Sequence, residues 1–318
     1  MRVPHPLLDA GMVREVEQAA STHLGRPWRP SGFADLEDRA SHPCGIFSGE
    51  PFSVFVKLYA GPNGLEQAAA EVAGLRFIHH VSDVATPAPV GDGVIATRAG
   101  SMLLSEALPE RGPGSGLPSD SRTACDYADI GHALARLHQV LGGLPGMPAL
   151  DGFFGSLRLD NRPVASGRWA DFYAERRLLP TLRLARDAGH VPPELAAAVE
   201  RVAGRLPQLC GPEPMPALLH GDAQQNNFIN TPDGAYLIDA CPYFGHPEVD
   251  LALAGYFQPV PEDLFAAYQE IAPIDPGFAE RQELWRMHGY LAVAAVAGGT
   301  PLATSVLDRL AAATRQYL

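Results

Sequence analysis

Three side chains in one short stretch, Asp222, Asn227 and Asp239, have the types and the spacing to do chemistry together. They fall in "LLHGDAQQNNFINTPDGAYLIDACPYFGHPEVDLAL", where a P-D-G turn separates two apolar runs, so residues 226–240 read as a β-hairpin. Asp222 lies just before the first strand, Asn227 at its start and Asp239 at the end of the second. A hairpin brings its outer ends together, which sets Asn227 beside Asp239 with Asp222 nearby. Two carboxylates and an amide oxygen there suit a hard, oxygen-seeking Mg²⁺ and leave one carboxylate to accept a proton. A further candidate stands far upstream. Lys57, in "SVFVKLYA", is the only lysine in the chain, every other Lys/Arg position being arginine. Arginine can supply charge, so a position that stays lysine points to a task for a compact ammonium on a thin stem.

These residues need elements to hold them. "FSVFVKLY" reads as a strand whose alternation puts Ser53, Phe55 and Lys57 on one face and Val54, Val56 and Leu58 on the other. "GLEQAAAEVAGLRFIHH" follows as a helix, with Leu65, Ala69, Val72 and Leu75 at helical spacing. A helix over about residues 10–24 precedes them, and residues 28–60 alternate short apolar runs with Gly, Pro and Ser as a small antiparallel sheet does. "GVIATRAG" and "SMLLSEAL" are further strands. "PERGPGSGLPSDS" (109–121) marks the lobe boundary, and beyond it "CDYADIGHALARLHQVL", "RWADFYAERRLLPTLRLARDAG" and "PPELAAAVERVAGRL" are helical. The chain therefore reads as α+β, with no internal repeat. A small N-terminal antiparallel sheet lobe with one main helix (1–104) leads through a hinge (105–109) to a larger, mostly helical lobe (110–318) that carries the hairpin.

Composition narrows the partners. The 318 residues are 46% hydrophobic and 19% charged, with a formal net charge of −12, which argues against a nucleic-acid or anionic-membrane surface and suits a cationic small substrate. The four scattered cysteines form no C-x-x-C pair, so neither a zinc site nor a disulfide framework is expected. They read as thiols in a reducing compartment. The N-terminus lacks the uninterrupted apolar core of a signal peptide, and "LAVAAVAGG" is far short of a membrane span, so the expected location is cytoplasmic.

The spacing D-x-x-x-x-N followed by a second Asp after a hairpin is a kinase catalytic-loop pattern. The segment resembles the protein-kinase-like fold of aminoglycoside phosphotransferases, and more specifically the fructosamine (ketosamine) kinase family, through "LLHGD", Asn227, "ID" and "YFGHPEVDLALAGYF". "VFVK", "EVAGL", "IGHALARLH" and "WADFYAERRLLPTL" extend the likeness in order, over about residues 40–290. The resemblance implies that Asp222 orients or deprotonates the acceptor hydroxyl and that Asn227 and Asp239 hold Mg²⁺ on the phosphates of ATP or GTP. It implies that Lys57 contacts the α/β-phosphates, paired with Glu71 on the following helix, Glu66 being the competing partner. "LSEAL" (104–108), with Glu106 and Leu108, would hold the nucleobase, and Phe55 would border it. Gln224 and Tyr243 would face the acceptor, with His220 as scaffold and Asp250 tying the catalytic loop to a helix start. His138, Trp169 and Phe172 read as core. Cys44, in "HPCGIFSGE", falls in the expected phosphate-covering turn, which is no G-x-G-x-x-G loop.

One departure bears on the acceptor. Where that family's loop reads L-W-S-G-N, this chain has "AQQNN", so Gln224 replaces a tryptophan with a directional amide. The expected activity is a small-molecule kinase acting on a hydroxyl of a sugar-bearing molecule, tilted by that loop toward an antibiotic, aminoglycoside-like or a nucleoside, with a ketosamine or related metabolite as the alternative. A catalytically silent nucleotide-binding protein is the competing class. Acceptor, nucleotide preference and oligomeric state stay open.

Overall fold

The computed structural model describes residues 5–36, 42–111 and 122–318. Asp9 caps the first helix by accepting from the N–H groups of Gly11 and Met12, and α1 (Ala10–Leu24) turns Met12, Val16 and Ala20 inward. Strands β1 (Gly32–Asp35), β2 (Cys44–Ser48) and β3 (Val54–Ala60) follow, then α2 (Gly64–Val81), β4 (Pro89–Thr97) and β5 (Gly100–Glu106). They form one antiparallel sheet of five strands in the order β1-β2-β3-β5-β4. Central β3 is divided by its alternation: Val54, Val56 and Leu58 enter a core shared with α1, whereas Tyr59 packs with Ala68 and Val72 of α2. Farther along α2, Leu75 and Ile78 belong instead to the large core of the rest of the molecule.

Two expectations change here. "HPCGIFSGE" is not a turn, because its Cys-Gly-Ile-Phe run pairs with β3 as strand β2, leaving Cys44 buried opposite Lys57. The β1–β2 connection lies earlier, and its residues 37–41 are outside the described ones. The sheet also runs farther than the expected hinge allows: β5 reaches Glu106, and the Ala107 N–H still donates to the Ser53 carbonyl. Of the Gly- and Pro-rich segment, residues 112–121 are outside the described residues.

The remainder is mostly helical. Thr123 and Asp126 exchange side-chain-to-backbone hydrogen bonds and so start α3 (Ala124–His138). A short hairpin of β6 (Gly152–Phe154) and β7 (Leu157–Leu159) precedes α4 (Trp169–Tyr173), a π-helical turn at Ala174–Leu178, α5 (Leu179–Asp187), α6 (Pro193–Gly204) and α7 (Leu206–Leu209). Next come β8 (Ala217–Leu219), a 3₁₀ turn at Gln225–Asn227, the hairpin β9 (Phe228–Thr231) and β10 (Gly234–Leu237), and β11 (Tyr243–Gly245), which pairs with β8. Helices α8 (Glu248–Ala254), α9 (Glu262–Gln269), α10 (Phe278–Ala297) and α11 (Pro301–Tyr317) complete the chain. Trp169, Phe172 and His138 are buried, the two aromatic residues in the large core. Among the described residues no helix is long and apolar enough to cross a membrane, and no disulfide joins the cysteines.

Candidate active site

The loop after β8 is fixed by a close main-chain approach and by side chains that hold its main chain. Gly221 adopts φ +85°, and a Cβ there would collide with the Cys241 carbonyl, so only glycine lets the two segments meet this closely. Asp250, near the start of α8, accepts from the His220 and Gly221 N–H groups at 2.6 and 3.1 Å. His138 closes the same carboxylate from α3 at 3.2 Å. The His220 ring reaches the Ile238 carbonyl at 3.0 Å, and burial holds its pKa below the usual range, so it is a neutral brace between loop and hairpin.

The hairpin then brings its outer ends together. The Ile238 N–H donates to the Asn227 carbonyl at 3.0 Å, and the Asn227 amide donates to the Asp222 carbonyl at 2.8 Å. That bond leaves the Asn227 side-chain oxygen as the acceptor of the pair. Asp239 follows in the left-handed region at φ +55°, a conformation Asp tolerates better than most residues and one that clusters at functional sites. Asp222 is buried, and Gln224 Nε2 donates to both its carboxylate oxygens, at 3.1 and 3.0 Å. Burial pushes the Asp222 pKa up to about 7; the Gln224 hydrogen bond opposes that and the Asp239 charge adds to it.

Lys57 reaches the same place from the sheet. Its Nζ lies 3.1 Å from Glu71 Oε2 on α2 and 2.8 Å from Asp239 Oδ2, and the side chain is only 5% exposed. Burial alone would depress this ammonium, but Asp239 and Glu71 outweigh it and hold Lys57 above its ordinary range. Burial, with the neighbouring Asp239, lifts Glu71 to about 7. Asp239, despite its own burial, is kept ionised by Lys57. Glu66 points elsewhere, to Arg158 at 3.3 Å. Tyr59, two positions after Lys57, donates to the same Glu71 oxygen. Period-2 alternation was enough to place Tyr59 beside Lys57, a signal the sequence reading did not use.

Two cavities meet at Glu71 and Asp239. One, of about 230 Å³, is apolar and is bordered by Phe55, Leu103, residues 104–108, Ile229 and Ile238, so Phe55, Glu106 and Leu108 all face it. The other, of about 390 Å³, contains Lys57, Asp222, Gln224, Asn227 and Asp239. Tyr243 faces neither. It is 2% exposed, stacked on Phe172 with the Arg177 guanidinium 4.1 Å from its ring centroid, because β11 pairing turns it into the core. Sequence reasoning missed the far wall of the larger cavity, supplied by the β6–β7 hairpin and by the corner between α10 and α11.

The family model described as fructosamine kinase matches residues 12–312. The chain belongs to the fructosamine kinase family. A probable ketoamine kinase of Escherichia coli O157:H7 is 34% identical over 247 residues, covering 77% of this chain and 80% of that one. Ketosamine-3-kinase of Mus musculus is 28% identical, with 75% and 81% covered. A Thermobifida fusca crystal structure assigned by name to the fructosamine-3-kinases superposes with a TM-score of 0.77 at 29% identity, covering 95% of this chain and 99% of that one. An aminoglycoside phosphotransferase bound to ADP and hygromycin B gives 0.62 at 15% identity, with 95% and 98% covered, and so shares the protein-kinase-like fold alone. Membership makes this chain a small-molecule kinase, a phosphotransferase with a hydroxyl acceptor.

Proposed function

We propose that this kinase transfers the γ-phosphoryl of ATP or GTP to a sugar hydroxyl of a ketoamine, a sugar joined to an amine, in the cytoplasm. The observation that carries the reading is the meeting of Lys57, Asp222, Asn227 and Asp239 on one cavity wall, next to an apolar slot of nucleobase character. The acceptor class rests on the relatives. Those named for ketoamines match at 28% and 34% identity, whereas the antibiotic phosphotransferase shares 15%. That weighs against the antibiotic acceptor suggested by the Gln224 loop.

The acceptor hydroxyl gives its proton to the ionised Asp222 as its oxygen attacks the γ-phosphorus, and the bond to the β–γ bridging oxygen breaks. Lys57 offsets the charge of the phosphates, and Glu71 positions it. An all-oxygen pair of donors, the ionised Asp239 and the Asn227 amide oxygen, fits Mg²⁺, which takes few protein ligands and shares the phosphates. Bound there, Mg²⁺ would neutralise the charge of the phosphate oxygens.

The direct test is mass spectrometry of ketoamines, aminoglycosides and nucleoside antibiotics incubated with each nucleotide, reading the gain of one phosphoryl group. Modification of ketoamines supports the reading; modification of an antibiotic alone replaces it. Asp222→Asn is expected to lose roughly 10²-fold or more in turnover while the nucleotide-induced rise in melting temperature persists. Near-normal turnover in that variant would remove Asp222 from its role.

A further inference from the structure

The larger cavity is lined by two chemically different sets of residues. One is polar, with Lys57, Asp222, Asn227 and Asp239, and Asp151 just before the β6–β7 hairpin. The other is apolar, with Phe257 from the α8–α9 connection and Val293, Val296, Ala297 and Leu302 from the α10–α11 corner. Phe257, Val296 and Leu302 are 47%, 54% and 47% exposed, so three large apolar side chains in the lining of one cavity are open to water. An apolar patch continuous with a polar site is the usual mark of a surface that a ligand covers.

Charge sets what kind of ligand this is. Four carboxylates line the cavity, Glu71, Asp151, Asp222 and Asp239, and the one ammonium among them, Lys57, is already flanked by Glu71 and Asp239. No arginine borders it among the described residues. An anionic substituent meets four carboxylates there, whereas a protonated amine can share Asp151, whose carboxylate is 37% exposed and paired at the surface with the 61% exposed Arg158 at 3.3 Å.

Building on the ketoamine reading, we propose that the preferred acceptor is a small ketoamine whose amine carries an apolar substituent. The sugar reaches Asp222, the ammonium faces Asp151, and the substituent covers Phe257, Val296 and Leu302.

The test compares kcat/KM for three fructosyl conjugates, of phenethylamine, methylamine and glutamate, with saturating nucleotide. Phenethylamine is expected to exceed methylamine by roughly tenfold or more, the discrimination an apolar pocket gives, with glutamate lowest. The Val296→Ser/Leu302→Ser double variant should bring the phenethyl-to-methyl ratio toward one. A ratio has the further advantage that partial loss of folded enzyme cancels from it. Equal efficiency on all three conjugates, or a ratio the double variant leaves unchanged, overturns the apolar subsite while sparing the ketoamine reading. No phosphorylation of any conjugate overturns both.

Discussion

Asp222 sits where ionising is unfavourable, and Gln224 is the residue that makes ionisation easier. Its amide donates to both carboxylate oxygens, stabilising the charged form against burial and against Asp239. In the proposed role Asp222 takes the acceptor proton in that form, so kcat/KM for the acceptor is expected to rise with pH through about 7, the Asp222 value. Gln224→Leu removes the stabilising bond, raises the pKa and should move the rising limb to higher pH. An unmoved limb, or one displaced to lower pH, would contradict the assignment. Lys57 poses a shape problem: it is buried and enclosed by two carboxylates within 3.1 Å. A guanidinium keeps the charge but not the size, so Lys57→Arg should raise the nucleotide KM by roughly tenfold or more, measured with acceptor saturating.

At the scale of elements, α2 decides whether Glu71 meets Lys57. Gly74, one turn beyond Glu71, lies against the segment after Asp239, and a Cβ there would come within 2.7 Å of Pro242 Cδ and 3.1 Å of the Ala240 carbonyl. The helix can approach the catalytic segment only because that position has no side chain. Gly74→Leu should push them apart, costing about 1–3 kcal/mol in denaturant unfolding and raising the nucleotide KM. Unfolding and KM both unchanged would mean that the two elements can separate without consequence. The hairpin is governed by a different contact, the Asn227–Ile238 backbone bond that returns Asp239 to Asp222.

For the whole molecule, the question is what joins the sheet to the helical part. One core holds α1 and the inner face of β3, a larger one holds the helices, and α2 contributes Leu75 and Ile78 to the second while its Val72 packs under the sheet. The apolar cleft is bordered by Phe55 on the sheet and by Ile229 and Ile238 on the hairpin, so a nucleotide in it touches both parts. At a hundredfold excess over its Kd, ATP with Mg²⁺ should stabilise the protein by about 2.7 kcal/mol, read as a higher melting temperature in scanning calorimetry. Phe55→Ala and Ile238→Ala should each reduce that rise. A rise that neither substitution reduces would place the nucleotide elsewhere, and no rise at all would mean that the folded protein does not bind it.

The sequence by itself determined the alternation that sends Phe55 and Lys57 to one face, the helix that presents Glu71, and the turn that folds Asn227 back toward Asp239. Each of these depends on residues within a few positions of one another and on a backbone period of two or 3.6. It also supplied the resemblance that the family match bears out. Only the tertiary structure decided that "HPCGIFSGE" is a strand, since the Cys44–Lys57 register is a pairing between separate segments. The same holds for Tyr243, which the β8 pairing turns away from the acceptor cavity, and for the apolar lining of that cavity, which joins Phe257 to Val296 and Leu302. Contacts between residues far apart in the chain follow from how faces pack, and a one-residue change of register would reverse which face a side chain occupies.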